Sequence, residues 1–316
     1  MEAAPSRTAA LAAVARGLLR MEATPPWVLD DAFALLLVGP VWQELRELLF
    51  SLFPAQVVRE ILAAVCTRSR YAEDRLAAGA FMQYVILGAG LDSFAWRRPD
   101  LLRSLRVFEV DHPASQAWKL ERVRDLALPL SDSQVFVPVD FEAEPLQDAL
   151  RTAGFDWGQP ALFSWTGVAP YLTVRAIEST LRTIAEAAAG SEVVFSYRTE
   201  DSVLDDVGRE FVQIYAPLAA SLGEPLQPGW PVIEIERLIS RSGLKVVDHP
   251  ARADLQERYF ADRTDGLRPY NARPWSLRGS LELRARERPT GFPRYIPCPC
   301  RVPGCHLCSC HGAPSR

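Results

Sequence analysis

The chain has 316 residues, 48% of them hydrophobic and 23% charged, a composition that suits one large domain with a helical addition. Lys and Arg number 35 against 39 Asp and Glu, a net charge of -4, so no basic surplus recommends nucleic acid as a partner and a small molecule is the simpler expectation. The longest apolar run, 32–42, is far short of the roughly 20 residues that span a bilayer, so no membrane partner is expected. Arg16 and Glu2 spoil the alanine-rich start as a signal peptide, and the cytoplasm is the expected compartment. Only Cys66 precedes a cluster running from Cys298 to Cys310, so disulfides do not staple the body of the chain.

In chain order, residues 8–22 carry Ala and Leu at helical spacing until Pro25-Pro26 breaks the pattern. A second helical stretch starts at Asp30-Asp31 and runs toward Leu49. A third begins at Pro54 with Val57, Val58, Ile61, Leu62 and Val65 on one face. From Gln83 onward, short apolar runs at 84–87, 106–110, 135–139, 161–165, 193–197 and 245–247 alternate with helical stretches at 113–126, 145–153, 174–189 and 233–242. Such alternation predicts a parallel sheet covered on both faces, with ligands at the carboxyl ends of its strands. The expected organisation is an N-terminal helical cap over 1–80, a Rossmann-like domain over 81–270 and an irregular Cys/Pro/Arg-rich tail over 271–316.

The first strand runs straight into Gly88-Ala89-Gly90-Leu91-Asp92, where glycines let the backbone turn sharply and let a ligand approach. A dinucleotide fold prefers a third glycine for close helix–strand packing, but Ser93 stands there. The departure shifts weight from a nicotinamide cofactor to S-adenosylmethionine, which has no phosphate. About 20 positions on, Glu109 and Asp111 end the next strand on one face, where an acid accepts hydrogen bonds from ribose hydroxyls. Asp140 and Phe141 follow the third strand, in place for an adenine amino group and ring.

The strings Leu-Gly-Ala-Gly-Leu-Asp-Ser at 87–93 and Phe-Glu-Val-Asp-His-Pro at 108–113, with the segments 139–141, 163–172 and 257–267, resemble the leucine carboxyl methyltransferase family, nearest its bacterial S-adenosylmethionine-dependent branch. The resemblance covers roughly 7–270. It implies a class I methyltransferase fold, a mostly parallel seven-stranded sheet with its last strand reversed, and an N-terminal helical lid. It also implies that an arginine before the first strand, Arg68 in preference to Arg70, clamps the methionine carboxylate of S-adenosyl-L-methionine. Gly88 and Gly90 match the glycine turn, Asp111 the ribose ligand, and Asp140 with Phe141 the adenine pair. The segment with Thr166 and Tyr171 falls beside the sulfonium, making both candidates for the acceptor pocket. Many members carry a glutamate where Thr166 stands, so a protein-carboxyl-terminus substrate does not transfer. Arg7-Thr8-Ala9 resembles the lid segment over the acceptor.

These residues predict O-methylation of a carboxylate or hydroxyl on a small molecule. An NAD(P)-dependent oxidoreductase and a non-catalytic cofactor-binding relative are the competing readings. A carboxylate acceptor needs no general base, and His112 and His249 both sit in Asp-His-Pro turns. The tail cysteines with His311 are numerous enough for one zinc, but their spacing fits no standard zinc module, and no metal site is expected.

Overall fold

The computed structural model describes residues 6–268 and 280–285. Helix α1, Arg7–Glu22, opens where the Ser6 hydroxyl accepts the Ala9 N–H at 3.0 Å, and nine of its residues, Arg16 among them, are buried. The single helix expected to run toward Leu49 is two. Gly39, at φ +75°, donates its N–H back to Leu35 and Leu36 carbonyls, and Pro40 follows. The break separates α2, Ala34–Val38, from α3, Trp42–Leu52. Helix α4, Ala55–Ala78, is long enough for two tasks. Its first half packs with α1–α3 through Val58, Leu62 and Ala63, and its second half lays Tyr71, Ala72 and Leu76 against the sheet.

The sheet is built around β1, Gln83–Leu87, with every residue buried. Strand β2, Arg106–Asp111, pairs parallel on one side of it and β4, Ala161–Trp165, on the other. Strand β3, Gln134–Pro138, extends the sheet past β2, and β5, Glu192–Ser196, extends it past β4. The order β3-β2-β1-β4-β5 reverses direction at β1, which opens a crevice above the carboxyl ends of β1 and β4. Beyond β5 the order continues with β7, Ser280–Ala285, antiparallel to both its neighbours, then β6, Leu244–Asp248.

Side-chain alternation divides the core into two layers. Val85, Leu87, Phe108, Val110, Phe163 and Phe195 face α7, Leu146–Thr152, α8, Val174–Ala185, and α10, Val232–Arg241. Tyr84, Ile86, Val107, Leu162 and Val194 face α4, the short α5, Phe94–Arg97, and α11, Arg252–Phe260. Burial on both faces is why the strands read as continuous apolar runs. Helix α6, Pro113–Asp125, carries the chain from β2 to β3.

Three elements depart from the expected pattern. Helix α9, Asp206–Ser221, contains Pro217, which interrupts its helical signature. Helix α11 is mostly polar, with only Leu255 and Phe260 buried. Strand β7 lies inside the stretch expected to be irregular, and its pairing with β5 and β6 is long-range. No helix among the described residues is long and apolar enough to cross a membrane. The cysteines from Cys298 onward, and the zinc reading attached to them, lie outside the described residues.

Candidate functional site

At the end of β1 the Gly88 and Ala89 N–H groups both donate to the Val110 carbonyl, at 2.8 and 3.0 Å, folding the turn back onto β2. Gly88 lies at φ +71° and Gly90 at φ +49°, where any Cβ is strained. A Cβ on Gly88 would also overlap Val168, and one on Gly90 would stand 2.8 Å from the Ala9 Cβ. The lid helix α1 therefore sits directly on the glycine turn. Its residues Thr8, Ala9, Ala12 and Arg16 line the same cavity as Gly88–Asp92, so α1 is a wall of that crevice. Gly88→Ala is expected to abolish binding of S-adenosylhomocysteine in calorimetry while circular dichroism still reports a folded chain.

Asp111, at the carboxyl end of β2, accepts the Gly90 N–H through Oδ2 and the His112 N–H through Oδ1 at 2.6 Å. Burial pushes its pKa up and the two backbone donors pull it back. Asp92 lines the cavity and accepts the Phe94 N–H at 2.7 Å, starting α5. Asp140 and Phe141 stand on the cavity wall beyond β3, with Asp140 Oδ1 accepting the Glu142 N–H at 2.9 Å.

Two expected cofactor residues are elsewhere. Glu109 shares the Asp111 face of β2 but lies deeper along the strand, 1% exposed, paired to Lys119 and accepting from Gln134 Nε2 at 2.7 Å. It is absent from the cavity wall because β2 has not yet reached its carboxyl end at that position. Arg70 bonds Asp74 one turn on at 2.7 Å and lies over the Tyr259 ring, while Arg68 lines the cavity. Two residues apart on a helix means about 200° of rotation, so one site takes only one of the pair. The Arg68 guanidinium packs against Gly167, where a Cβ would lie 3.2 Å from both terminal nitrogens. Burial lowers its pKa, a disadvantage that a carboxylate placed beside it removes.

Thr166 and Tyr171 line the cavity after β4. The Tyr171 and Tyr215 hydroxyls lie 2.9 Å apart, and burial raises both phenols above their ordinary pKa. His112 also lines the cavity, with Nδ1 accepting the Ala114 N–H at 3.2 Å as the cap of α6.

Sequence reasoning missed two sets of residues. Arg16 Nε meets Asp31 Oδ2 at 2.8 Å, and its Nη2 donates to the Leu91 carbonyl at 2.7 Å, tying lid to glycine turn. Arg97 reaches Asp31 at 3.8 Å and Glu73 through two bonds of 2.7 and 3.1 Å. The signal was present in Arg16, a cation inside an otherwise apolar helical face, which demands a buried partner. Glu224, after α9, accepts from the Ser6 hydroxyl and the Arg7 N–H, each at 3.1 Å, and from the Thr8 hydroxyl. A carboxylate at a helix N-terminus is favoured by the helix dipole. Nothing local in the sequence marks it.

These residues surround a cavity of about 460 Å³. It brings together the glycine turn, acids at successive strand ends and a partly buried arginine, polar groups of the kind an adenosyl group carrying an amino acid requires. At the third glycine position of a dinucleotide turn, Ser93 is buried and its hydroxyl accepts from Arg97 Nε at 2.9 Å. The fold is that of a class I methyltransferase. The leucine carboxyl methyltransferase family model matches residues 9–185, and the chain belongs to that family. It is 37% identical over 186 residues to the "Putative S-adenosyl-L-methionine-dependent methyltransferase YktD" of Bacillus subtilis, a match covering 58% of this chain and 61% of that protein. A Mycolicibacterium gilvum protein of the same description is 30% identical over 284 residues, covering 80% of this chain and 89% of its own. A crystal structure from Thermobifida fusca, titled a putative methyltransferase, shares the fold at a TM-score of 0.53 and 17% identity, covering 89% of this chain and 94% of that one.

Proposed function

We propose that the chain transfers a methyl group to an oxygen of a small molecule, with a carboxylate as the acceptor in preference to a phenol or alcohol. When bound, S-adenosylmethionine supplies a sulfonium whose methyl carbon takes the acceptor's electron pair as the S–CH3 bond breaks, leaving a neutral ester and S-adenosylhomocysteine. Arg68 holds the methionine carboxylate, Asp111 the ribose, Asp140 and Phe141 the adenine, and Thr166 with Tyr171 shapes the acceptor side. Alignment within the crevice supplies much of the rate, on the order of 7–11 kcal/mol in the best intramolecular cases.

The observation that supports the carboxylate preference is that each acid or imidazole on the wall already accepts a hydrogen bond within the protein, Glu73 from Arg97 included. Asp92, Asp111 and Asp140 accept backbone N–H groups, Glu224 accepts from Ser6 and Arg7, and His112 Nδ1 caps α6. Tyr171 and Tyr215 are held as protonated phenols. A hydroxyl acceptor wants a base to take its proton, whereas a carboxylate arrives deprotonated above its usual pKa of about 4. The described residues hold one cysteine, buried Cys66, and no disulfide, which is in keeping with a reducing compartment such as the cytoplasm.

The test is methyl transfer from labelled donor to matched acids and phenols, followed from pH 6 to 9. For a carboxylate acceptor kcat/KM is expected to stay flat across that range. A rise approaching tenfold per pH unit would identify an ionising hydroxyl and refute the preference. Titration with S-adenosylhomocysteine and with NADH tests the cofactor itself, and only the first is expected to bind.

A further inference from the structure

Besides its polar strand-end wall, the cavity has a group of apolar lining residues. These come from the helical cap: Leu11 of α1, Leu49 and Phe53 at the end of α3, Ile61 and Val65 of α4, and Phe211 of α9 line the same space. None of these side chains carries a hydrogen-bonding group. Ile61, Val65 and Arg68 stand at i, i+4 and i+7 on α4, so a hydrocarbon stripe leads along one helix face to the guanidinium. On the opposing side Phe53 stacks on Phe211 with centroids 5.3 Å apart, and Phe211 on Tyr215 at 5.2 Å. That row of rings ends at the Tyr215–Tyr171 hydroxyl pair, 2.9 Å apart, beside the glycine-lined crevice.

An adenosyl group and its amino-acid end need hydrogen-bond partners, and these are concentrated at the sheet edge. A polar group pushed into the cap wing would be left unpaired, weakening binding roughly tenfold or more, whereas each methylene buried there tightens it about fourfold. We propose that this wing receives the body of the methyl acceptor, and that the acceptor is therefore a monocarboxylic acid with a hydrocarbon body, acyl or aryl. The wing sorts acceptors by their bodies, and the junction near Arg68, Thr166 and Tyr171 presents the reacting oxygen. This rests on the O-methyl-transfer reading above.

The test uses the full-length chain saturated with S-adenosylhomocysteine, titrated calorimetrically with butanoate, octanoate, 2-naphthoate and glutarate. Octanoate and 2-naphthoate are expected to bind at least thirtyfold more tightly than butanoate, with a negative heat-capacity change, and glutarate no better than butanoate. Ile61→Trp fills the wing and is expected to weaken octanoate at least tenfold while leaving S-adenosylhomocysteine within twofold. Val65→Thr keeps the shape and adds one hydroxyl, and a three- to fivefold loss for octanoate is expected should the tryptophan variant fail to fold. Glutarate binding as tightly as octanoate, or octanoate affinity unmoved by both variants, overturns the assignment. Wing-dependent binding of octanol without octanoate supports the wing and overturns the carboxylate preference. No affinity for S-adenosylhomocysteine removes the methyl-transfer reading and the inference with it.

Discussion

Arg68→Ala is expected to weaken S-adenosylhomocysteine binding by about a hundredfold or more, while Arg70→Ala leaves it within twofold. The contrast follows from one helix. Arg68 is partly buried in the cavity wall against Gly167, and Arg70 is half-exposed on the far side of α4, spent on Asp74 and Tyr259. A charge-assisted bond to a carboxylate is worth about 1.5–3 kcal/mol, and a buried bidentate pair loses roughly 3–5 kcal/mol when one partner goes. An exposed i,i+4 pair such as Arg70–Asp74 contributes only about 0.3–0.5 kcal/mol. Arg68→Lys keeps the charge but loses the planar fork, and an intermediate affinity is expected. Calorimetry on the three variants is the measurement. Equal losses at positions 68 and 70 would remove the assignment of Arg68 to the methionine carboxylate.

Asp31→Asn is expected to lower stability by roughly 3–5 kcal/mol, a fall of roughly 6–15 °C in Tm, because it leaves two buried guanidinium groups without their shared counter-charge. Burial alone would raise the Asp31 carboxyl, yet Arg16 and Arg97 hold it below the ordinary carboxylate range. A depressed folded-state pKa means that the stabilisation is complete above the unfolded value, about 3.9, and is lost as pH falls through the lower folded value. The gap in Tm between parent and variant is therefore expected to be full at pH 7 and to shrink only below about pH 4. A gap that closes between pH 5 and 7 would mean that another group dominates. Because Arg16 also bonds the Leu91 carbonyl, the variant is expected to loosen the lid from the glycine turn and raise KM for the donor as well.

Removing residues 1–22 would test the lid on a coarser scale. Ala9 stands 2.8 Å from where a Gly90 Cβ would be, and Thr8 and Arg16 line the crevice, so loss of donor binding together with transfer is expected. A division in which α1 serves the acceptor alone is not what the packing supports.

By itself the sequence determined the parallel core and the strand ends of the site. Doubly covered strands must be apolar throughout, and the turn after β1 must contain glycine because its φ values are positive, so 84–87 and Gly88–Gly90 are written in local residues. Asp111, Asp140 and Phe141 follow from the same rule, since acids that end neighbouring parallel strands necessarily reach one edge. Depth along a strand and rotation around a helix are less plain in a string of letters. Glu109 is two residues short of the rim, and Arg70 is half a turn off the cavity face. What only the tertiary structure decided are contacts between residues far apart in the chain: Glu224 on the start of α1, Arg16 with Asp31 and Arg97, and β7 between β5 and β6. Their partners lie on different elements, and packing alone brings them together, as it does the hydrocarbon wing that four separate helices enclose.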